Sequence, residues 1–143
     1  MPPAEKFYNR KGYYSLNVMV VCDHLKRIRY FTSRHCGSAH DSRIFNESHL
    51  RAQLENQFDP EDPLVLLGDE GYSCSRVLLT PIRHDRITTP NQAAYNEALK
   101  KIRVFIEHVF GMVKKCFPAL LYELRCRKIE NAQALIGNTF GQI

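Results

Sequence analysis

A chain of 143 residues, 44% hydrophobic and 24% charged, has enough material for one packed domain and not for two. No apolar run approaches the roughly 18 residues that a bilayer crossing needs. The net charge is +5, and the start, MPPAEKFYNRKGYY, holds no apolar secretory segment, so that start makes an intracellular, reducing setting the expectation.

The first element expected is a strand over residues 13–22, YYSLNVMVVC, rich in β-branched and aromatic side chains. Asp23 and His24 make a turn, and RIRYFTS (27–33) is the returning strand of a hairpin. HCGSAHDSRIF then breaks the pattern, with Gly37 and two serines forming a loop. Asp41 or Ser42 is placed to N-cap a short helix that continues through residues 50–57. FDPEDP (58–63) is a turn that stops that helix. LVLLG (64–68) is continuously apolar, the pattern of a strand buried on both faces. Residues 80–91, with two prolines and no period, are a loop leading to Asn91 as an N-cap.

From Gln92 to Phe117 the period is helical. Tyr95, Ala98, Leu99, Ile102, Phe105, Ile106, Val109, Met112, Val113 and Phe117 share one arc, with Lys100, Arg103, Glu107 and Lys114 on the polar side. A last segment, RKIENAQALIGNTF, makes one more helix. The order is that of an α/β chain with a mixed sheet. Five cysteines, Cys22, Cys36, Cys74, Cys116 and Cys126, are an odd set without a CxxC pair. That speaks against a disulfide framework or structural zinc and for reduced, mostly buried thiols.

Charge is unevenly spread. Residues 47–70 hold seven acids against one base, and residues 100–128 hold eight bases against two acids. A polyanion partner beside a metal or acid centre suits that division, although from charge alone a solvated helix face with ordinary ion pairs is the favoured explanation. Three acids stand where chemistry is often placed: Asp41 in a Gly/Ser loop, Asp69 just past an apolar strand, and Glu107 on a basic helix face. Converging carboxylates can hold hard divalent ions such as Mg²⁺, which activate water and stabilise a leaving oxygen. Each also has a plainer explanation: a helix cap for Asp41, a turn for Asp69 and Glu70 before Gly71, and an i,i+4 pair with Arg103 for Glu107. No nucleophile elbow, phosphate-binding loop, dinucleotide turn or HExxH pair occurs.

The stretches NRKGYYSLNVMVVCD, HCGSAHDSRIF, LVLLGDEGYS, LLTPI and RVFIEHVFGMVKKCF, in that order, resemble Harbinger-type transposases and the nucleases derived from them, over about residues 8–130. The resemblance implies a single DDE-type endonuclease domain across residues 1–143, with a ribonuclease H-like mixed sheet flanked by helices. By the same resemblance, Asp69 matches the second catalytic Asp, Glu107 the catalytic Glu, and Asp41 an additional metal-binding acid. Glu70 falls at a variable position. Lys100, Arg103 and Lys114 would hold DNA phosphates, and the cofactor would be Mg²⁺ or Mn²⁺. DNA and a DNA-binding partner protein would be the partners, with the nucleus, and also the cytoplasm, as the location. The family's first catalytic Asp lies on a strand upstream of NRKGYY, so the chain is expected to lack that central strand and to be incomplete at both ends. Two functions follow. One is a metal-dependent DNA nuclease. The other is a domesticated, inactive remnant that binds DNA or protein.

Overall fold

In Leu16, Val18 and Val20 the apolar side chains recur every second residue, which sets them on one face of a strand. The computed structural model describes residues 7–8, 13–118 and 128–141 and divides the chain into two compact units. The first unit, Met1–Ala39 with Phe105–Ile143, contains β1 (Leu16–Cys22) and β2 (Ile28–Cys36), an antiparallel hairpin. Its turn is clamped by Asp23, whose Oδ1 accepts the N–H groups of Leu25 and Arg27 at 2.9 and 3.0 Å. Its Oδ2 accepts from Arg27 Nε at 2.8 Å. Lys26 takes a positive φ of 63° to close the loop. Asp23 is therefore a turn residue.

Val109 and Val113, late in the long helix α3 (Pro90–Cys116), join Ile136 and Phe140 of α4 (Ile129–Gly141) in one buried cluster. Leu16, Val18, Val20 and Phe31 of the hairpin pack against it. Phe31 and Phe140 stack with centroids 5.5 Å apart. This cluster is the core of the first unit.

The second unit, His40–Val104, carries α1 (Asp41–Asn46), α2 (His49–Asn56), β3 (Leu66–Leu67), β4 (Leu78–Leu79), a 3-10 turn at His84–Arg86 and the first part of α3. β3 and β4 are parallel, and Gly68 N–H donates to Leu79 O at 2.9 Å just past the ladder. Ile44, Phe45, Val77, Leu78 and Leu99 are buried in this unit. Arg76 ties β4 to α2 by pairing with Glu55.

Several expectations need correction. The strands form two separate two-stranded sheets among the described residues, not one mixed sheet. β4 was unforeseen, because two residues are too few to show a period. The LVLLG segment is not buried on both faces: Leu64 is 67% exposed, and β3 has β4 as its strand neighbour among the described residues. The helix expected from Asp41 to residue 57 breaks at Ser48, whose hydroxyl accepts from Arg51 N–H at 3.2 Å and starts a second helix. His40, not Asp41 or Ser42, occupies the first cap, and Asp41 lies inside the first turn. Asn91 is not the cap of α3 either. Thr89 Oγ1 accepts from Gln92 N–H at 3.3 Å while Gln92 Oε1 accepts from Thr89 N–H at 3.2 Å. That reciprocal box, with Pro90 at the first helical position, needs no Asn.

The apolar arc of α3 is wider than the face it buries. Leu99, Val109 and Val113 are buried, whereas Ile102, Phe105 and Met112 are between 37% and 48% exposed. The described cysteines are free and none is fully buried; Cys74 and Cys116 are exposed. Cys126, the basic residues Arg125 and Arg127, and residues 9–12 of the NRKGYY stretch lie outside the described residues. No helix among the described residues is long and apolar enough to cross a membrane.

Candidate functional site

The parallel ladder of β3 ends at Gly68, and the chain turns at once: Tyr72 N–H donates to Asp69 O at 3.2 Å. Within that turn Asp69 Oδ1 accepts from Gly71 N–H at 2.8 Å, which fixes the aim of the carboxylate. Gly68 is glycine because a Cβ there would stand 3.1 Å from the Tyr72 ring and 3.2 Å from Leu78.

Asp41 reaches the same place from α1. A Cβ on Gly71 would lie 3.0 Å from Asp69 Oδ1 and 3.1 Å from Asp41 Oδ2, so the two carboxylates flank one point left open by a missing side chain. The approach is held by a serine tie: Ser42 Oγ accepts from Ser73 N–H at 2.7 Å, and the two hydroxyls are 2.9 Å apart. Phe45 of α1 packs edge-on against Tyr72, with centroids 6.3 Å apart. Burial first, and then the charges of Asp41 and Asp69, push the Tyr72 phenol up to about 12. Its hydroxyl therefore stays protonated, uncharged beside two carboxylates. Arg103 of α3 brings a guanidinium to 4.0 Å from Asp69 Oδ2.

The structure thus joins Asp41, Asp69 and Arg103. Lys100 is exposed on α3 in the same unit. Glu107 and Lys114 are also exposed on α3 but belong to the first unit. Glu107 forms no ion pair within 4 Å among the described residues, and Arg103 turns to Asp69 instead. Gly71 entered the sequence reading only as a turn residue, and Tyr72 and the Ser42–Ser73 tie escaped it. Their only trace was membership of the HDS and GDEGYS stretches.

Two half-buried carboxylates that meet beside the Gly71 backbone form an all-oxygen donor set, which fits a hard divalent cation completed by water or phosphate oxygens. Among the described residues, no group of three or more His, Cys, Asp or Glu side chains is gathered closely enough to hold an ion. Gly71→Ala is expected to push the carboxylates apart and weaken Mn²⁺ binding about tenfold, or about 1.4 kcal/mol. The metal-free melting temperature should barely move, because Gly71 is exposed. Calorimetric titration with Mn²⁺ checks this, and an unchanged affinity would show that the ion sits elsewhere.

These features define a mixed α/β chain with an acidic pair at the end of a parallel strand and a basic side chain beside it. The family model for DDE superfamily endonuclease matches residues 2–140, and the chain belongs to that family. It is 35% identical over 108 residues to the Rattus norvegicus protein named "Putative nuclease HARBI1", covering 74% of this chain and 30% of that one. The Homo sapiens protein of the same name is 32% identical over 121 residues, covering 83% of this chain and 34% of that one. The chain therefore spans about a third of the length of these curated relatives. No solved structure matches it.

Proposed function

We propose that this chain is part of a divalent-metal-dependent DNA nuclease of transposase origin, with a ribonuclease H-like arrangement. The observation that carries the reading is the approach of Asp41 and Asp69 to each other beside Gly71, with Arg103 alongside. Asp41 and Asp69 would hold the ion, and the family resemblance gives Glu107 the role of the catalytic Glu. The ion, Mg²⁺ or Mn²⁺, would activate water and stabilise the leaving 3′ oxygen. Asp69 is pre-aimed by Gly71 N–H, so little ordering is left for the moment of binding. Arg103, beside Asp69, would take a phosphate oxygen, and Lys100 and Lys114 would hold phosphates without reading sequence. Tyr72, kept neutral, offers a hydroxyl that adds no further negative charge beside the acids. DNA, a DNA-binding partner protein and a nuclear location, with some cytoplasmic presence, belong to the same proposal.

The second reading is an inactive remnant that binds DNA or protein. The pair of acids, rather than a triad, among the described residues favours it. Nicking of supercoiled plasmid in Mn²⁺ decides between them. The nuclease reading expects nicking by the wild type and a loss of roughly a hundredfold or more in both Asp69→Asn and Glu107→Gln. A wild type that binds DNA without nicking it would establish the second reading, and equal nicking by all three proteins would remove the carboxylates from the chemistry.

A further inference from the structure

A groove of about 670 Å³ lies in the second unit, starting from the same turn that carries Asp69. Glu70, Tyr72 and Ser73 line it on that side, and Pro81, Ile82 and Tyr95 contribute apolar surface. Arg83 and Arg86 line it as well, from an exposed loop. The volume is that of a small-ligand site.

The wall is built rather than loose. Tyr95 OH donates to Thr80 O at 3.1 Å. Asn96 grips Ile82 twice, its Oδ1 accepting from Ile82 N–H at 2.9 Å and its Nδ2 donating to Ile82 O at 2.8 Å. These bonds pin residues 80–82 to α3 and leave Arg83 and Arg86 displayed just beyond. Arg83 Nε lies 3.4 Å from Asp85, but both side chains are about two-thirds exposed, and such a pair gives way readily to a phosphate. Arg86 makes no ion pair among the described residues.

We propose that this groove seats a nucleotide next to the cleaved phosphodiester, its base against Pro81, Ile82 and Tyr95 and its phosphate on Arg83 and Arg86. The choice of a nucleic acid strand rests on the nuclease reading; the chemistry rests on the groove. A sequence-tolerant seat for single-stranded nucleic acid combines cationic side chains with an aromatic or apolar platform, and both are present here. Glu70, on the carboxylate turn, repels a phosphate, which directs the backbone toward the arginines.

Cys74 is exposed and lines the groove, so its thiol reports occupancy. The experiment follows iodoacetamide alkylation of Cys74, by peptide mass, in the 143-residue chain with a fluorescein-labelled ten-nucleotide DNA strand in EDTA. Cys36, on β2 in the other unit, is the reference thiol. A saturating strand is expected to slow Cys74 about fivefold or more and leave Cys36 unchanged, while Arg83→Ala/Arg86→Ala loses the protection and about tenfold in affinity by anisotropy. Both arginines are exposed, so the variant should keep its melting temperature. An abasic strand of equal length should protect less; equal protection would overturn the base seat. Binding by anisotropy with no change at Cys74 would overturn the groove and leave the nuclease reading intact. Protection of Cys74 in a protein that shows no metal-dependent nicking would support the groove and sink the nuclease reading. Absence of any binding by the strand would overturn the groove, while plasmid nicking in Mn²⁺ decides the nuclease reading separately.

Discussion

Mn²⁺ at a hundredfold excess over its dissociation constant is expected to raise the melting temperature of the wild-type chain by roughly 5–10 °C, and Asp69→Asn is expected to abolish the rise. The size follows from linkage: such an excess stabilises by about 2.7 kcal/mol, and a chain of this size gains roughly 2–4 °C for each kcal/mol. The substitution is chosen to remove charge and little else. An Asn carbonyl can still accept from Gly71 N–H, the bond that holds the turn at 2.8 Å. Arg103 loses a contact that is already long, 4.0 Å, and partly exposed, so its contribution to metal-free stability is small. Without metal the two proteins should therefore melt close together. Asp41→Asn should behave in the same way, because its Oδ2 faces the same open point. Differential scanning fluorimetry with and without Mn²⁺ makes the comparison. An equal shift in wild type and Asp69→Asn would remove Asp69 from the metal site and take the proposed chemistry with it.

Phe140→Ala is expected to cost about 3–5 kcal/mol, the range for emptying a buried aromatic position. Phe140 is 7% exposed, stacks on Phe31 and completes the cluster of Val109, Val113 and Ile136. Against a total stability of roughly 5–15 kcal/mol, that loss is a large fraction of the whole. The matched control is Ile102→Ala. Ile102 has the same periodic credentials in the sequence but is 48% exposed, so its truncation should cost far less. Urea unfolding followed by circular dichroism gives both numbers. Equal midpoints for the two variants would mean that α4 does not close the hairpin as described.

That contrast marks how far periodicity reaches. The spacing of apolar residues located α3 and α4 to within a few residues, and the β-branched run located the hairpin, because those preferences act over one or two turns of chain. The same spacing could not say which part of the α3 arc is buried. Ten positions from Tyr95 to Phe117 share the apolar side, and burial among them depends on which other elements arrive. β4 was silent for a related reason: its two residues pair with β3 through backbone groups that carry no side-chain signature.

The candidate site divides along the same line. The sequence by itself placed Asp69 at the end of an apolar strand, Asp41 in a loop before a helix and Arg103 on a long amphipathic helix, and its linked motifs carried the family. Taken singly, each acid read as well as a cap, a turn or a surface pair. Only the tertiary structure brought Asp41 to Asp69, through a hydrogen bond between Ser42 and Ser73, residues 31 apart in the chain, across a gap where Gly71 has no side chain. Local propensity acts through neighbours a few residues away. The meeting of two like charges has no local cause; it comes with the packing that buries Ile44 and Phe45 of α1 and sets Phe45 edge-on against Tyr72.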